Sequence, residues 1–382
     1  MSPDRAYLSE ARIGPGLAAV AAELARLDAL FAQAGAEAVE PAILQPASAL
    51  LNLYGEDVRA RAYVVHDPIA GERMLRPDFT APIARLHLDR HGEAAAETAA
   101  LYRYAGPVFR ASVPGQARPS EYLQAGVEMI GPRDPVAADV EVFALVRAAL
   151  GPLAERAAVT LGDLAIVFAA IDGLSAPRRL RDGLRRRFWR PPAFRRALAA
   201  LAPDRPPPTL ARRALLDAAA SADGLAALLD GASEPEGARP LSAVQARALA
   251  LSEDAGVSLP AAEAARLAEI LAVRAPAPEA LARLRALDPG ALASALDRFE
   301  TRLNALAASG ADPEAMTFDA AFGRALEYYD GFVFEFALPD APRLPPLAGG
   351  GRYDALLARL EGPPGLPGVG AILRPEACLA VP

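Results

Sequence analysis

The chain is 382 residues long and carries 40 basic against 47 acidic side chains, for a formal net charge of −7, and every one of those basic residues is an arginine. The absence of lysine excludes a P-loop lysine and a Schiff-base lysine. The negative balance argues against a nonspecific nucleic-acid binder, which draws its affinity from phosphate neutralisation. A single cysteine, Cys378, leaves no intrachain disulfide and no cysteine-rich zinc site, a usage that fits a reducing compartment. With no signal peptide and no apolar run of membrane-spanning length, the chain is expected to be cytoplasmic.

Along the chain, Leu17, Val20, Leu24, Leu27 and Phe31 recur at helical spacing, and Gly35 is placed to end the helix they define. A strand is expected to begin within 39-VEPAIL-44, followed by a short helical stretch around 46–54. A strand pair near 61–76 turns at 66-HDPIAG-71, and 80–92 reads as a helix that stops at Gly92. Two strands follow at about 101–111 and 121–130. Next comes a helix over 136–150 with Val136, Val140, Phe143, Val146 and Leu150 on one face. A strand-like run, 164-LAIVFAAI-171, leads into the arginine-rich stretch 177–196. From there to about residue 310 the sequence is helix-forming, broken at 203-PDRPPP-208 and 232-ASEPEGARP-240, and it shows no fixed repeat period. Strands return at about 317–337 and 366–374. One sheet drawn from both ends of the chain, with helices packed on it, is an α+β fold.

Residues two apart share a strand face, so Gln124, Gly126 and Glu128 point one way while Leu123, Ala125, Val127 and Met129 point the other. An amide and a carboxylate separated by a glycine suit a small polar ligand, although a strand with one solvated face has the same pattern. Arg110 falls on the face of Tyr104 and Val108, as a ligand contact or as a surface arginine. In 323-GRALEYYDGFVFEF-336, Phe332, Phe334 and Phe336 form an apolar face opposite Val333, Glu335 and Ala337. Arg324 and Tyr329 precede that strand, and the tyrosine pair is open to an aromatic-core reading. The glycines 349-GGG-351 lack the GxGxxG context, so a phosphate-binding turn is only weakly indicated. His66, His87 and His91 form no metal motif; Leu88-Asp89-Arg90 between the last two is not HExxH, so no metal and no cofactor is expected. The arginines from Arg178 to Arg196 are offset only by Asp182. In a lysine-free acidic chain they read as a solvated helix face or a rim for an acidic partner.

Five motifs, 75-LRPDFTAPIAR-85, 104-YAGPVFR-110, 122-YLQAGVE-128, 324-RALEYYDGFVFE-335 and 349-GGGRYD-354, occur in an order that resembles histidyl-tRNA synthetase. They equally resemble its non-synthetase relative, the regulatory subunit of ATP phosphoribosyltransferase, in the class II aminoacyl-tRNA synthetase catalytic-domain family. The likeness runs from about Leu17 to Ala371, with the middle region matching only in position and helical character. It implies a mainly antiparallel sheet flanked by helices, with a helical insertion. It also implies that Asp78, Thr80 and Gln124 hold the α-amino group of a bound histidine. Arg110 and Arg324 would face its carboxylate, and Glu128, Tyr329 and Tyr353 would line the imidazole pocket. The residue types fit, because a carboxylate and a phenol read the N–H of an imidazole.

Departures from the synthetase pattern favour the regulatory relative. In 368-GVGAILRPEACLAVP-382 the place of the arginine that clamps the ATP γ-phosphate falls near Ala377, after Pro375. The loop after Arg110 runs Ala111-Ser112-Val113-Pro114 instead of His-Glu-Arg-Pro, and Asp78 stands where a synthetase has glutamate. Loss of one preorganised charge clamp costs about 3–4 kcal/mol of transition-state stabilisation. The resemblance therefore implies a non-catalytic subunit that binds L-histidine for feedback inhibition in the first step of histidine biosynthesis. It would self-associate as a dimer and activate a short-form ATP phosphoribosyltransferase catalytic subunit, with neither membrane nor nucleic acid as a partner. The alternatives are a truncated histidyl-tRNA synthetase-like enzyme and a stand-alone amino-acid-binding paralogue. The expected division is a first core part over 1–172, a helical insertion over 173–310 and a second core part over 311–382, with no anticodon-binding domain.

Overall fold

The computed structural model of the chain describes residues 12–50, 53, 56–112, 119–131, 134–221, 223–224, 226–227, 241–288, 290–323 and 327–381. Among them the strands are β1 (Glu37–Ala38), β2 (Leu44–Pro46), β3 (Val64–Asp67), β4 (Gly71–Leu75), β5 (Ala100–Phe109), β6 (Glu121–Ile130), β7 (Ala158–Asp163), β8 (Arg274–Pro276), β9 (Thr317–Asp319), β10 (Phe332–Ala337), β11 (Ala348–Arg352) and β12 (Gly368–Leu373). Nine of them form one sheet in the order β1-β5-β6-β12-β11-β10-β7-β9-β8, and β2-β4-β3 form a small second sheet. The large sheet is antiparallel except where β1 meets β5 and β7 meets β9. Strand β6, from the first half of the chain, pairs directly with β12, from its end. The expected α+β sheet built from both ends is therefore present.

One face of this sheet is covered by helices. Helix α1 (Gly14–Gln33) buries Leu27 and Phe31, and α2 (Thr80–His91) lies between the small sheet and β5 in sequence. Both end where foreseen, at Gly35 and Gly92, whose φ angles of +82° and +52° suit a residue without a Cβ. Helix α3 (Pro135–Leu150) starts on Asp134, whose side chain accepts the N–H groups of Val136 and Ala137. Its Phe143 meets Phe334 and Phe336 with ring centroids 5.1 and 5.2 Å apart, so the apolar face foreseen for β10 packs on this helix.

Of the foreseen stripe of α3, Phe143, Val146 and Leu150 are buried, while Val136 and Val140 are half-buried and Ala138, Asp139 and Val142 are buried beside them. Asp139 is buried within a charge network. Asp139 takes Arg302 Nε at 2.8 Å and Arg352 Nη2 at 2.7 Å, while Arg302 Nη1 reaches Asp163 at 2.8 Å. Buried charges are tolerated only when paired in this way. The network ties α3 and α4 (Ala293–Ala308), which carries Arg302, to β7 and β11.

Two other expectations change. The run 164–171 belongs to a helix, Leu164–Asp172, and the strand is the preceding β7. Asp163 accepts the N–H of Ala165 at 3.0 Å and so starts the helix, and a short apolar run alone cannot distinguish the two states. The glycines 349–351 are neither turn nor loop but the middle of β11, buried between β10 and β12. The strand expected to begin within 39–44 is β2, which starts at Leu44.

The chain packs as two compact units, Met1–Val167 with Ile270–Pro382, and Phe168–Glu269. The second unit is narrower than the span 173–310, because β8, the helix Ala277–Leu287 and α4 belong with the sheet. It is helical, with Arg178–Arg185, Pro191–Ala199, Leu210–Ala219 and Leu241–Ala255. Much of its arginine run is neutralised internally. Arg179 pairs with Asp254 at 2.8 Å, Arg181 donates to the Asp172 carbonyl, and Arg185 pairs with the Asp172 carboxylate. Arg178, 88 % exposed at its side chain, reaches Asp182 only at 3.7 Å. The break foreseen at 232–240 lies outside the described residues. Among the described residues no helix is long and apolar enough to cross a membrane.

Candidate functional site

The face of the sheet opposite α3 carries the polar side of β6. Register sets Tyr104 beside Gly126 and Gly106 beside Gln124 on one flank, and Gly370 beside Glu128 on the other. Gln124 is 2 % and Glu128 1 % exposed, so this is an enclosed polar face and not a solvated one. Glycines make the enclosure possible. A Cβ on Gly370 would lie 1.8 Å from Glu128 Oε2, one on Gly126 would lie 2.8 Å from Tyr104 Oη, and one on Gly368 would lie 2.3 Å from the Tyr353 ring. The three side chains lie down on bare backbone.

Glu128 is the hub. Its Oε1 accepts the hydroxyls of Thr80 at 2.7 Å and Tyr104 at 3.1 Å, and its Oε2 accepts that of Tyr353 at 2.6 Å. Burial pushes its carboxyl up to about 7; the hydroxyls of Tyr353 and Thr80 pull the other way, the charge of Asp78 adds to the rise, and the Tyr104 hydroxyl opposes it. Burial beside Glu128 also raises Tyr104 and Tyr353 well above 10, so both keep their protons and act as donors. Tyr104 is fixed by stacking on Phe79, with centroids 4.3 Å apart and 18° between planes, and the Arg76 guanidinium lies 4.1 Å from the Phe79 centroid.

A second group borders the first. Asp78 is buried, with Tyr328 Oη 3.4 Å and Arg110 Nη2 3.9 Å from its carboxylate. Arg110 sits just past the end of β5, not within it, and its Nε donates to the Pro77 carbonyl at 2.8 Å. Tyr329 is buried with its ring centroid 4.9 Å from that of Tyr328 and 6.5 Å from that of Tyr353. The Gln124 carbonyl oxygen is buried and has no hydrogen-bond partner among the described residues. Arg324 lies outside the described residues. Of the eight residues implied by the resemblance, Thr80, Glu128 and Tyr353 thus form one hydrogen-bonded cluster. Asp78 and Gln124 are buried on the segments that carry Thr80 and Glu128, while Arg110 is half-buried past β5 and Tyr329 buried before β10.

Sequence reasoning missed Tyr104 and Tyr328 as members of this site. The face of Tyr104 was readable from alternation, but its place opposite Gly126 depends on a register that pairs Phe109 with Glu121. It also missed Asp330, which accepts the N–H groups of Asp354 at 3.0 Å and Ala355 at 2.6 Å at the start of helix α5 (Asp354–Arg359). Asp330 returns its own N–H to the Arg352 carbonyl at 3.0 Å. This staple holds the Tyr328–Tyr329 segment against the end of β11. Burial and the nearby Asp354 push Asp330 up to about 7, opposed by the two N–H groups.

A family model described as histidyl-tRNA synthetase matches residues 13–255 and 225–377. An ATP phosphoribosyltransferase regulatory subunit from Mesorhizobium japonicum is 37% identical over 357 residues, 91% of this chain and 93% of the relative. Its counterpart from Brucella anthropi is 36% identical over 88% of this chain and 90% of the relative. Among solved structures, an ATP phosphoribosyltransferase regulatory subunit/histidyl-tRNA synthetase from Bacillus halodurans superposes with a TM-score of 0.66 at 22% identity, covering 99% of this chain and 82% of that one. A histidyl-tRNA synthetase from Nostoc gives 0.58 at 14% identity, covering 94% and 70%. The structural likeness establishes the fold, and the sequence likeness the family. The chain belongs to the ATP phosphoribosyltransferase regulatory subunit family, built on the histidyl-tRNA synthetase fold.

Proposed function

We propose that this chain is the non-catalytic regulatory subunit of an ATP phosphoribosyltransferase, acting with a short catalytic subunit in the first step of histidine biosynthesis. In this reading it binds L-histidine at the Glu128 cluster as the feedback signal. The observation that carries the reading is the Glu128 carboxylate itself: it is enclosed, held by three hydroxyls, and retains acceptor capacity that a ring N–H can use. Around it, the Gln124 carbonyl and the Asp78 carboxylate suit an ammonium group, and Arg110 suits a carboxylate. The Thr80 hydroxyl proton points at Glu128, which leaves its lone pairs for that ammonium. Where a synthetase would need an arginine for the ATP γ-phosphate, the helix Pro375–Leu379 carries Ala377. The neighbouring Glu376 is engaged elsewhere, accepting the Leu123 N–H at 2.8 Å and pairing with Arg12. An alanine has no charge to offer a polyphosphate, in keeping with a subunit that performs no adenylation.

The test is reconstitution. Co-expressed with a short catalytic subunit, the chain should co-purify with it and raise its activity, and histidine should inhibit the complex. Histidine-dependent exchange of pyrophosphate into ATP by the chain alone should stay at background. A clear exchange signal would instead support the synthetase reading, and a catalytic subunit indifferent to the chain would remove the regulatory one.

A further inference from the structure

A carboxylate offers about four acceptor directions. At Glu128 three are filled by hydroxyls from separate segments: Thr80 at the start of α2, Tyr104 on β5 and Tyr353 after β11. Oε1 receives two donors and Oε2 one, so a second lone pair on Oε2 is the remaining acceptor. The other titratable groups around it are few. Asp78 lies on the α2 side with Arg110 3.9 Å beyond it, and Tyr329 lies behind Tyr353. Strand β12 presents only Gly370, and Tyr102, the register partner on β5, turns its hydroxyl to His87 Nδ1 at 2.9 Å. Among the described residues no cation is hydrogen-bonded to Glu128.

We propose that Thr80, Tyr104 and Tyr353 are positioning residues that shape Glu128 to receive one ring N–H with a single proton shared between carboxylate and ring, so that histidine affinity passes through a maximum near neutrality. The proposal rests on the reading of this site as a histidine pocket. With no proton on the pair, a bare carboxylate is buried beside Asp78 with only neutral donors. With two, an acid O–H faces an imidazolium N–H, donor against donor. One proton leaves an imidazolium on a carboxylate, the arrangement with charge balance and complementary hydrogen bonding.

The sign of the pH dependence follows. On the alkaline side, free Glu128 and free imidazole are both unprotonated, so binding takes up a proton and affinity falls as pH rises. On the acid side both are protonated, so binding releases a proton and affinity falls as pH drops. Each limb approaches tenfold per pH unit. With Glu128 near 7 and an imidazole near about 6.5, the maximum lies at about pH 6.7. Tyr104→Phe keeps the ring on Phe79 but deletes one donor to the ionised carboxylate, so the acid limb should move to higher pH. Thr80→Val should do the same, and Thr80→Ser should restore the wild-type profile.

The experiment is calorimetry of histidine binding from pH 5 to 9 in buffers of different ionisation enthalpy, which counts protons. Beside it, a difference-infrared titration of the Glu128 carboxyl is run in ligand-free protein, with Glu128→Gln as the blank. A bell-shaped affinity with proton uptake above the maximum and release below it, and an acid limb moved by Tyr104→Phe and Thr80→Val, supports the proposal. Affinity that rises with pH to a plateau, or profiles of both variants that overlay the wild type, overturns it while leaving the histidine pocket standing. No histidine binding at any pH removes the pocket reading. In that case the infrared titration still decides the positioning role, which is lost if Tyr104→Phe leaves the carboxyl titration unmoved.

Discussion

Burial of Glu128 makes its protonation state a property of the fold. An ordinary glutamate releases its proton near about 4.3, whereas this one is held up to about 7 by burial. The folded state therefore keeps a proton that the unfolded chain has already lost between those values. The stabilisation is fully present below the unfolded value and disappears as pH rises through 7. Comparing wild type with Glu128→Gln isolates this contribution: between pH 5 and pH 8 the difference in unfolding free energy should shift by about 2–3 kcal/mol in the variant's favour. Denaturant titrations at the two pH values would show it, and a difference independent of pH would place the Glu128 carboxyl at its ordinary value. The ligand-binding prediction concerns the same atom. A hydrogen bond to a charged group contributes about 1.5–3 kcal/mol, so Glu128→Ala should weaken histidine roughly 10- to 150-fold by calorimetry. Unchanged affinity would put the pocket elsewhere.

At the level of strands, two glycines separate what the sheet needs from what the site needs. A Cβ on Gly126 would come 2.2 Å from the Ala371 carbonyl oxygen on the next strand, so the clash is with backbone. The nearest atom to a Cβ on Gly370 would instead be the Glu128 carboxylate, the movable end of a side chain, with the Val127 carbonyl oxygen farther off at 2.8 Å. Gly126→Ala should therefore lower the melting temperature more, and Gly370→Ala should abolish most histidine binding with the smaller loss of stability. Thermal melts beside calorimetry check both; the reverse order would mean that β12 yields more easily than Glu128 moves. The same strands show how far the sequence could be read. Alternation in 121–130 separated Gln124, Gly126 and Glu128 from their apolar neighbours, because period two is local information. The tyrosine cluster needed pairing across the sheet. That Tyr353 lies on Gly368 and reaches Glu128 depends on β11 and β12 meeting β6, and five motifs in order pointed there only through resemblance. Alternation could not have revealed Asp330 as a staple, since its partners lie 24 and 25 residues away. The run 164–171 misled because its apolar content suits either state, and the side chain of Asp163 decided between them.

For the molecule as a whole, the proposed function makes a quantitative demand. If histidine at the Glu128 cluster inhibits an associated catalytic subunit, binding free energies must be linked in both directions. Whatever factor histidine imposes on substrate affinity in the complex, saturating substrate must impose on histidine affinity. Typical couplings of about 1–3 kcal/mol correspond to 5- to 150-fold. Histidine titrations of the complex with and without substrate should therefore differ by the factor found for substrate with and without histidine. Tyr329 provides the control for where the signal enters. Its ring is buried against those of Tyr328 and Tyr353, and a Cβ on Gly351 would touch it, so it faces the pocket side of the sheet. Tyr329→Ala should leave assembly with the catalytic subunit intact while raising the histidine concentration needed for inhibition. Sedimentation of the mixture and the activity assay, run on the same preparation, read the two effects separately. Loss of assembly with undiminished histidine affinity in the free subunit would make Tyr329 part of a partner-binding surface, and the pocket would then have to be drawn without it.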